Sequence, residues 1–572
     1  MIILNRYFIR LIHEILHYRR NSSIIISSII VSSIIAMIGP YLIGIATDSI
    51  LALQFTALIF IAGTYIVIYI LNYWAQNRRT KYMITTSQTV IKNLRNNAFR
   101  NLQYVPLSYY SDKSSGQIIS RITNDAETLS DFLTFQLPQV LAGIAGIIAS
   151  IFIMLYLDPV LTLYAIIIIP MLLGTIFLMN KRIKFNYLNV RKRIAELTGN
   201  VGESVNGIKA IKNTGSEIPF VESFDGVNQN NYEANVKAVR LTSIFSSIVQ
   251  SIEGLGIIIV LYEGGSQVLH GILSIGLLVS FIVYVQSFFN PIVQLSQFYN
   301  SYQSSSIAIE RIYRIIDEKN DENKHEIENP VFNDAISFNN VNFSYGKREV
   351  IKNVSFTIEK GKKIAIIGKT GAGKTTISNM MLKFIRPNSG TITLDGIDIN
   401  NIDTRNYRKL YSVILQEPFL FEGTVLENIR FSDAGLELAK INDYIQKLGL
   451  GSIMKNIDLN SQVGERGTNL SEGQRQAISI LRAAINDPEI IIMDEATSEL
   501  DSKNEDSIQK ALINYMEGKT VITIAHHINT ILKADTVLYI DNGKIIEKGN
   551  PEELIKQKGY FYEAYRKSQI LL

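Results

Sequence analysis

At 572 residues the chain is too long for one ordinary domain. Hydrophobic residues make up 47% of it, unusual for a soluble protein of this size, and the net charge of +4 is small. Cysteine is absent, which excludes disulfides and thiolate metal sites and leaves the redox compartment open.

The first twenty residues, MIILNRYFIRLIHEILHYRR, carry basic side chains but no compact apolar core with a small-residue cleavage site, so no signal peptide is expected. Lys and Arg are then absent from 21–77, from 132–180 and from 241–310. Each interval has room for two membrane spans of ~20 residues and a short turn. Turns are expected at TDSILALQ (47–54), LDPV (157–160) and YEGGSQVLHG (262–271). The predicted spans are 22–46, 55–77, 134–156, 160–180, 243–262 and 272–294. A single apolar run could be a buried helix of a soluble domain; three paired gaps argue against that.

Basic residues collect in cytosolic loops, so both termini and the segments 78–131 and 181–240 are expected in the cytosol. TTSQTVIKNLRNNAFRNLQ has helical periodicity, and the spans are predicted to continue as helices beyond the bilayer. In the fifth span Gln250 and Glu253 lie three apart on one helix face. A carboxylate at membrane depth is costly; it reads either as a substrate or proton contact, or as a structural hydrogen bond or interface position. Pro40 and Pro291 are expected to kink their helices.

Residues 317–334 are charged and Asn-rich and read as a linker. Beyond them, β-type runs (ISFNNVNFSY, IKNVSFTIEKGKKIAIIG, EIIIMDEATS) alternate with helical ones, predicting an α/β nucleotide-binding domain over 335–572. Gly368-Lys369-Thr370-Gly371-Ala372-Gly373-Lys374-Thr375 follows the apolar strand KIAIIG and precedes a helix, the context that a phosphate-binding P-loop requires. Its glycines let backbone N–H groups turn inward on a phosphate, Lys374 reaches the β/γ oxygens, Thr375 ligates Mg2+, and Thr376 adjoins. In IIIMDEATSELD an apolar run delivers Asp494 for the magnesium shell, and Glu495 is placed to polarise an attacking water. A hundred residues after the P-loop, LSEGQRQ opens a helix with Ser471 and Gly473, whose hydroxyl and bare backbone suit an anion.

On these motifs residues 335–572 resemble the nucleotide-binding domain of ABC transporters, and 1–316 resemble the six-helix membrane domain of ABC exporters. The expected fold is an all-α transmembrane domain followed by an α/β P-loop domain. The resemblance implies further roles: Tyr345 in NFSYGK stacks on adenine, unless it is plain packing; Gln416 in VILQEPFLF contacts Mg2+; His526 in TIAHHINT contacts the γ-phosphate. VGERG at 463–467 matches the segment before the signature, LSEGQ (with Gln474) the signature itself, and SELD, ending at Asp501, the D-loop. PLSYYSDKSSGQIISRITNDAETL and NGIKAIKNTGSEIPFVESF resemble the two intracellular coupling segments.

In that family ATP is held between the P-loop of one domain and the signature of another. A second half-transporter is therefore implied, identical or different, with the identical one simpler. Glu472 stands where the family usually has Gly; it either weakens one site beside the γ-phosphate or points away. The implied activity is ATP-driven export of an amphipathic molecule (drug, lipid or peptide) through the cell membrane. An importer, or a nucleotide-gated channel, would share much of this pattern. Nucleic acid is not an expected partner, because membrane topology accounts for the basic residues.

Overall fold

The computed structural model describes residues 6–111, 113–319, 327–433, 435–494, 502–524 and 531–570. The chain separates into two compact units, one of residues 1–103 with 115–318, the other of 104–114 with 319–572. The segment 104–114 thus groups with the C-terminal half, which a contiguous reading of the sequence does not reveal.

The first unit is helical: α1 (Arg6–His17), α2 (Arg19–Leu51) and α3 (Phe55–Leu102) precede α4 (Ser108–Ser111), which lies in the second unit. Then come α5 (Ser115–Ile122), α6 (Asn124–Asp131), a π turn over Phe132–Gln136, α7 (Leu137–Leu157), α8 (Pro159–Ile166) and α9 (Ile168–Asn206). After α10 (Ile208–Thr214), the long α11 (Glu217–Leu269) and α12 (Ile275–Ile316) close the unit. Among the described residues, five helical runs are long and apolar enough to cross a membrane: Arg19–Leu51, Phe55–Leu102, Ser115–Leu157, Pro159–Asn206 and Glu217–Leu269. Within α12 the apolar stretch Ile275–Ser287 is shorter. At 1.5 Å per residue the 48 residues of α3 reach about 70 Å, more than twice a hydrocarbon core. Pro40 and Pro291 lie inside continuous helices.

Two turns sit where expected and the third comes late. Asp158 caps α8 by accepting from the Leu161 N–H (2.9 Å), with Pro159 in the first helical position. Ala52–Gln54 separate α2 from α3. Residues 262–269, expected as a turn, are helical, and the chain reverses at 270–274 instead. The reason is packing: a Cβ on Gly264 would lie 2.5 Å from Leu278 Cδ1 and 3.4 Å from Leu161, so the glycine admits close helix approach rather than a bend. At the same end, Asp48 is the one charged residue of 21–77. Its carboxylate accepts from the Ser274 hydroxyl (2.6 Å) and the Gly276 N–H (2.7 Å), capping α12 from α2. Gln250 is exposed and Glu253 half-buried on α11.

In the second unit, β1 (Ala335–Tyr345) and β2 (Arg348–Glu359) form a hairpin, followed by β3 (Lys363–Gly368) and α13 (Lys374–Met381). Next come β4 (Ser389–Leu394), β5 (Ile397–Asp398), α14 (Thr404–Lys409), β6 (Tyr411–Ile414), β7 (Gly423–Thr424) and α15 (Val425–Ile429). A helical stretch holds α16 (Leu438–Leu448), α17 (Gly451–Met454), the short β8 (Gln462–Val463) and α18 (Glu472–Ala484). The chain continues through β9 (Ile490–Asp494), α19 (Ser502–Met516), β10 (Thr520–Ile524), β11 (Thr536–Asp541) and β12 (Lys544–Gly549) to two C-terminal helices. The central sheet runs β12-β11-β3-β10-β9-β6, parallel except for β12. Its inner strands are buried along nearly their whole length and rich in Ile and Val, as suits strands covered on both faces. Residues 327–334, counted with the linker, already pack on this unit: Ile327 bridges Ile402, Phe332 is fully buried, and Asp395 accepts from the N–H groups of 333–335.

Candidate functional site

The loop after β3 has a shape only glycine permits at two points. At Gly368 (φ +154°) a Cβ would collide with the Ile540 carbonyl of β11. At Gly373 (φ +107°) it would lie 2.6 Å from Ile351 Cδ1 and 3.3 Å from the Val350 carbonyl, both on β2. Lys369, Thr370 and Gly371 are exposed and Ala372 is buried. Lys374 is buried, and its ammonium donates to the loop's own carbonyls at Gly368 (2.7 Å) and Lys369 (3.2 Å). Thr375 is exposed at the start of α13, while Thr376 is buried.

Sheet register gathers further residues at the same edge. In β10, Ile524 pairs with both Asp494 and Ile366, and in β6 Ile414 pairs with Met493. Asp494, the last residue of β9, and Gln416, two residues past β6, therefore lie at the same carboxyl edge as the P-loop, two and three strands along from β3, where open α/β sheets bind ligands. Asp494 is half-buried and Gln416 exposed. Tyr345, 46% exposed, ends β1 with its ring edge-on to buried Phe343 (centroids 4.8 Å apart). Glu495, Asp501 and His526 lie outside the described residues.

LSEGQ builds the other element. Ser471 caps α18: its hydroxyl accepts from the Gln474 N–H (3.3 Å), and the Gln474 side chain accepts from the Ser471 N–H (2.9 Å). Ser471 is exposed, Gly473 buried, and Glu472 half-buried in the first turn. Sequence reading missed Arg482, eleven residues along α18. Its guanidinium donates to the carbonyls of Asn428 (2.9 Å) and Phe419 (2.8 Å) and to Asn428 Oδ1 (2.8 Å). Among the described residues it has no carboxylate partner, and burial lowers its pKa. Asn428, itself buried, holds both polar groups of the Phe421 backbone, so Arg482 pins the chain just beyond Gln416 to α18. The sequence signal was faint: one cation in the apolar run ISILRAAI.

The two elements sit on opposite faces of one sheet. Along β9, Ile490 and Ile492 join the core that contains Ile377, Met380 and Met381 of α13. The intervening Ile491 and Met493 join the core that contains Ala477, Ile478 and Leu481 of α18. Successive strand residues point to opposite faces, so the sheet stands between α13 and α18.

The donor set suits a nucleotide with a hard cation. Among the described residues no group of three His, Cys, Asp or Glu could hold a metal. Thr375, Gln416 and Asp494 carry a hydroxyl, an amide and a carboxylate oxygen, donor types that Mg2+ accepts beside phosphates.

Comparison with known proteins agrees with this arrangement. The family described as ABC transporter transmembrane region matches residues 23–292, and the ABC transporter family matches 351–498. An uncharacterized ABC transporter ATP-binding protein of Bacillus subtilis (YfiC) is 34% identical over 545 residues, spanning 92% of this chain and 89% of its own. An ATP-dependent lipid A-core flippase of Haemophilus ducreyi is 30% identical over 514 residues, 87% of each chain. The solved structure of a bacterial Atm1-family ABC exporter with ATP bound shares the fold, with a TM-score of 0.80 at 23% identity over 96% of this chain and 98% of that one. With a transmembrane region and an ATP-binding region joined in one polypeptide, the chain belongs to the ABC transporters, as an exporter-type protein that hydrolyses ATP to drive transport.

Proposed function

We propose that the protein works as a pair of copies that exports an amphipathic molecule across the cell membrane. Residues 1–316 form the membrane part, 317–334 the connection and 335–572 the ATP-binding part. The observation that carries the pairing is the placement of α13 and α18 on opposite faces of one sheet. One copy then holds ATP on Lys374, Thr375 and the P-loop backbone, while Ser471, Gly473 and Gln474 of the other close over it. Each chain contributes two half-sites.

Within a closed site the ring of Tyr345 covers adenine, and Asp501 belongs to the D-loop motif SELD. Mg2+ on Thr375, Asp494 and Gln416 would neutralise charge on the phosphates. Glu495 accepts a proton from the attacking water, and His526 donates to the γ-phosphate. ATP drives the cycle because it binds the closed pair better than the open one. An amphipathic cargo is supported by the similarity to a protein named as a lipid A-core flippase. Clusters of Arg and Lys around the spans support cytosolic termini.

A different partner chain is favoured by one observation, Glu472. Its carboxylate sits in the first turn of α18, where a γ-phosphate would arrive, and like charges repel there. Expression of the chain alone in lipid vesicles separates the two readings. A stable dimer whose ATPase activity vanishes in Glu495→Gln supports identical copies; a dimer inert towards ATP supports an unlike partner. Full-rate hydrolysis by a strict monomer would remove both.

A further inference from the structure

The backbone passes between the two units at three points, after residues 103, 114 and 318. Two of those exits are stapled together inside the helical unit. Asn101, in the last turn of α3, donates through Nδ2 to the carbonyls of Ile315 (2.7 Å) and Glu318 (3.0 Å), 214 and 217 residues away. The last carbonyls of any helix lack intrahelical donors. At the end of α12, α3 supplies one.

A second grip supports the first. Arg10 of α1 donates through Nη1 to both carboxylate oxygens of Asp317 (2.8 and 2.9 Å), with its guanidinium 4.1 Å over the Tyr313 ring. The fully buried Tyr313 donates its hydroxyl to Glu14 Oε1 (2.7 Å), and Tyr7 stacks on the same ring. Burial, with Glu14 as acceptor, raises the Tyr313 pKa far above its ordinary value, so the donor persists at all physiological pH. Three residues of α1 (Tyr7, Arg10 and Glu14) and one of α3 therefore hold the final turn of α12, the point where the chain leaves for the ATP-binding unit.

We propose that Asn101, supported by Arg10, is a positioning residue for energy coupling. It locks the exits at 103 and 318 together, so that a displacement arising at the ATP sites enters α3 and α12 as one movement. Two independent exits would each absorb part of that displacement by local bending; an amide shared by two carbonyls, braced by a two-bond ion pair, removes that freedom. This inference rests on the transport reading above.

The absence of cysteine makes a clean test possible. A single cysteine at Leu53, 91% exposed in the α2–α3 turn, carries a spin label, and the distance between the labels of two copies is read in vesicles. Readings are taken without nucleotide and with MgATP in a Glu495→Gln background; hydrolysis is measured with Glu495 intact. Asn101→Ala combined with Arg10→Gln is expected to keep hydrolysis within about twofold while the ATP-driven distance shift falls below half. Asn101→Asp, isosteric but without the donor, should do the same and decides the matter if the double variant misfolds. A full shift in these variants, or hydrolysis falling in step with the shift, overturns the proposal. If the parent shows no shift, the transport reading and the proposal fall together.

Discussion

Replacing Ser471 separates a helix cap from a phosphate contact. The serine makes one half of a reciprocal pair, accepting at 3.3 Å from Gln474 while Gln474 accepts at 2.9 Å from its backbone N–H. The second bond needs no hydroxyl, so truncation costs only the first. Alanine at an N-cap costs about 1 kcal/mol, glycine a few tenths. Helix α18 is held by the buried side chains of Gln476, Ala477, Ile478, Ile480, Leu481, Ala483 and Ala484, and either loss leaves it folded. A hydrogen bond to a charged phosphate contributes about 1.5–3 kcal/mol, and 1.36 kcal/mol is tenfold in rate. Ser471→Gly should therefore melt within a degree or two of the parent yet hydrolyse ATP about 10- to 160-fold more slowly. Steady-state ATPase in vesicles, with thermal unfolding of the same samples, makes the comparison. Ser471→Gly retaining half the parental rate, or Ala losing more activity than Gly in proportion to stability, would refute the phosphate contact.

Gly368→Ala drives a methyl group into the Ile540 carbonyl and should weaken binding of a fluorescent ATP analogue at least about tenfold; unchanged affinity would show that the loop has slack. Asp48→Ala leaves the Ser274 hydroxyl and the Gly276 N–H without their acceptor and should cost about 1–2 kcal/mol, read as a drop of a few degrees in melting temperature. The Asp487 carboxylate accepts from Lys519 (2.6 Å), which holds its pKa below the ordinary carboxylate value. A depressed folded pKa stabilises above the unfolded value of about 4 and ceases to do so as pH falls through the folded value. The melting-temperature advantage over Asp487→Asn should thus be present at pH 7 and vanish in strong acid; a pH-independent gap would contradict it.

How much of this was legible from sequence follows the range of each interaction. The P-loop could be read because its backbone path demands glycine at Gly368 and Gly373, a constraint written in adjacent letters. Gaps in basic residues located the long apolar helices because the cost of a cation in hydrocarbon acts on composition alone. The turn expected at 262–271 begins only at 270 because glycine has two uses, bending and close packing, and only the neighbours Leu161 and Leu278 reveal which one Gly264 serves. Arg482 and Asn101 escaped notice for a related reason: their acceptors are backbone carbonyls 54 to 217 residues away, and a carbonyl leaves no mark in sequence. Gln416 and Asp494 were singled out from family resemblance and strand-end position; their convergence depends on β6 and β9 being neighbours, a fact of topology.

Strand β9 has five residues, and alternate ones belong to different hydrophobic cores. It is a party wall one peptide thick, with a tenant helix leaning on either side. Enlarging Ile491 would press on the neighbour that carries Ser471, enlarging Ile492 on the one that carries Lys374, and a shift of the shared backbone disturbs both households. Random mutagenesis should find this strand among the least forgiving stretches of the chain, because all four of its apolar side chains are buried.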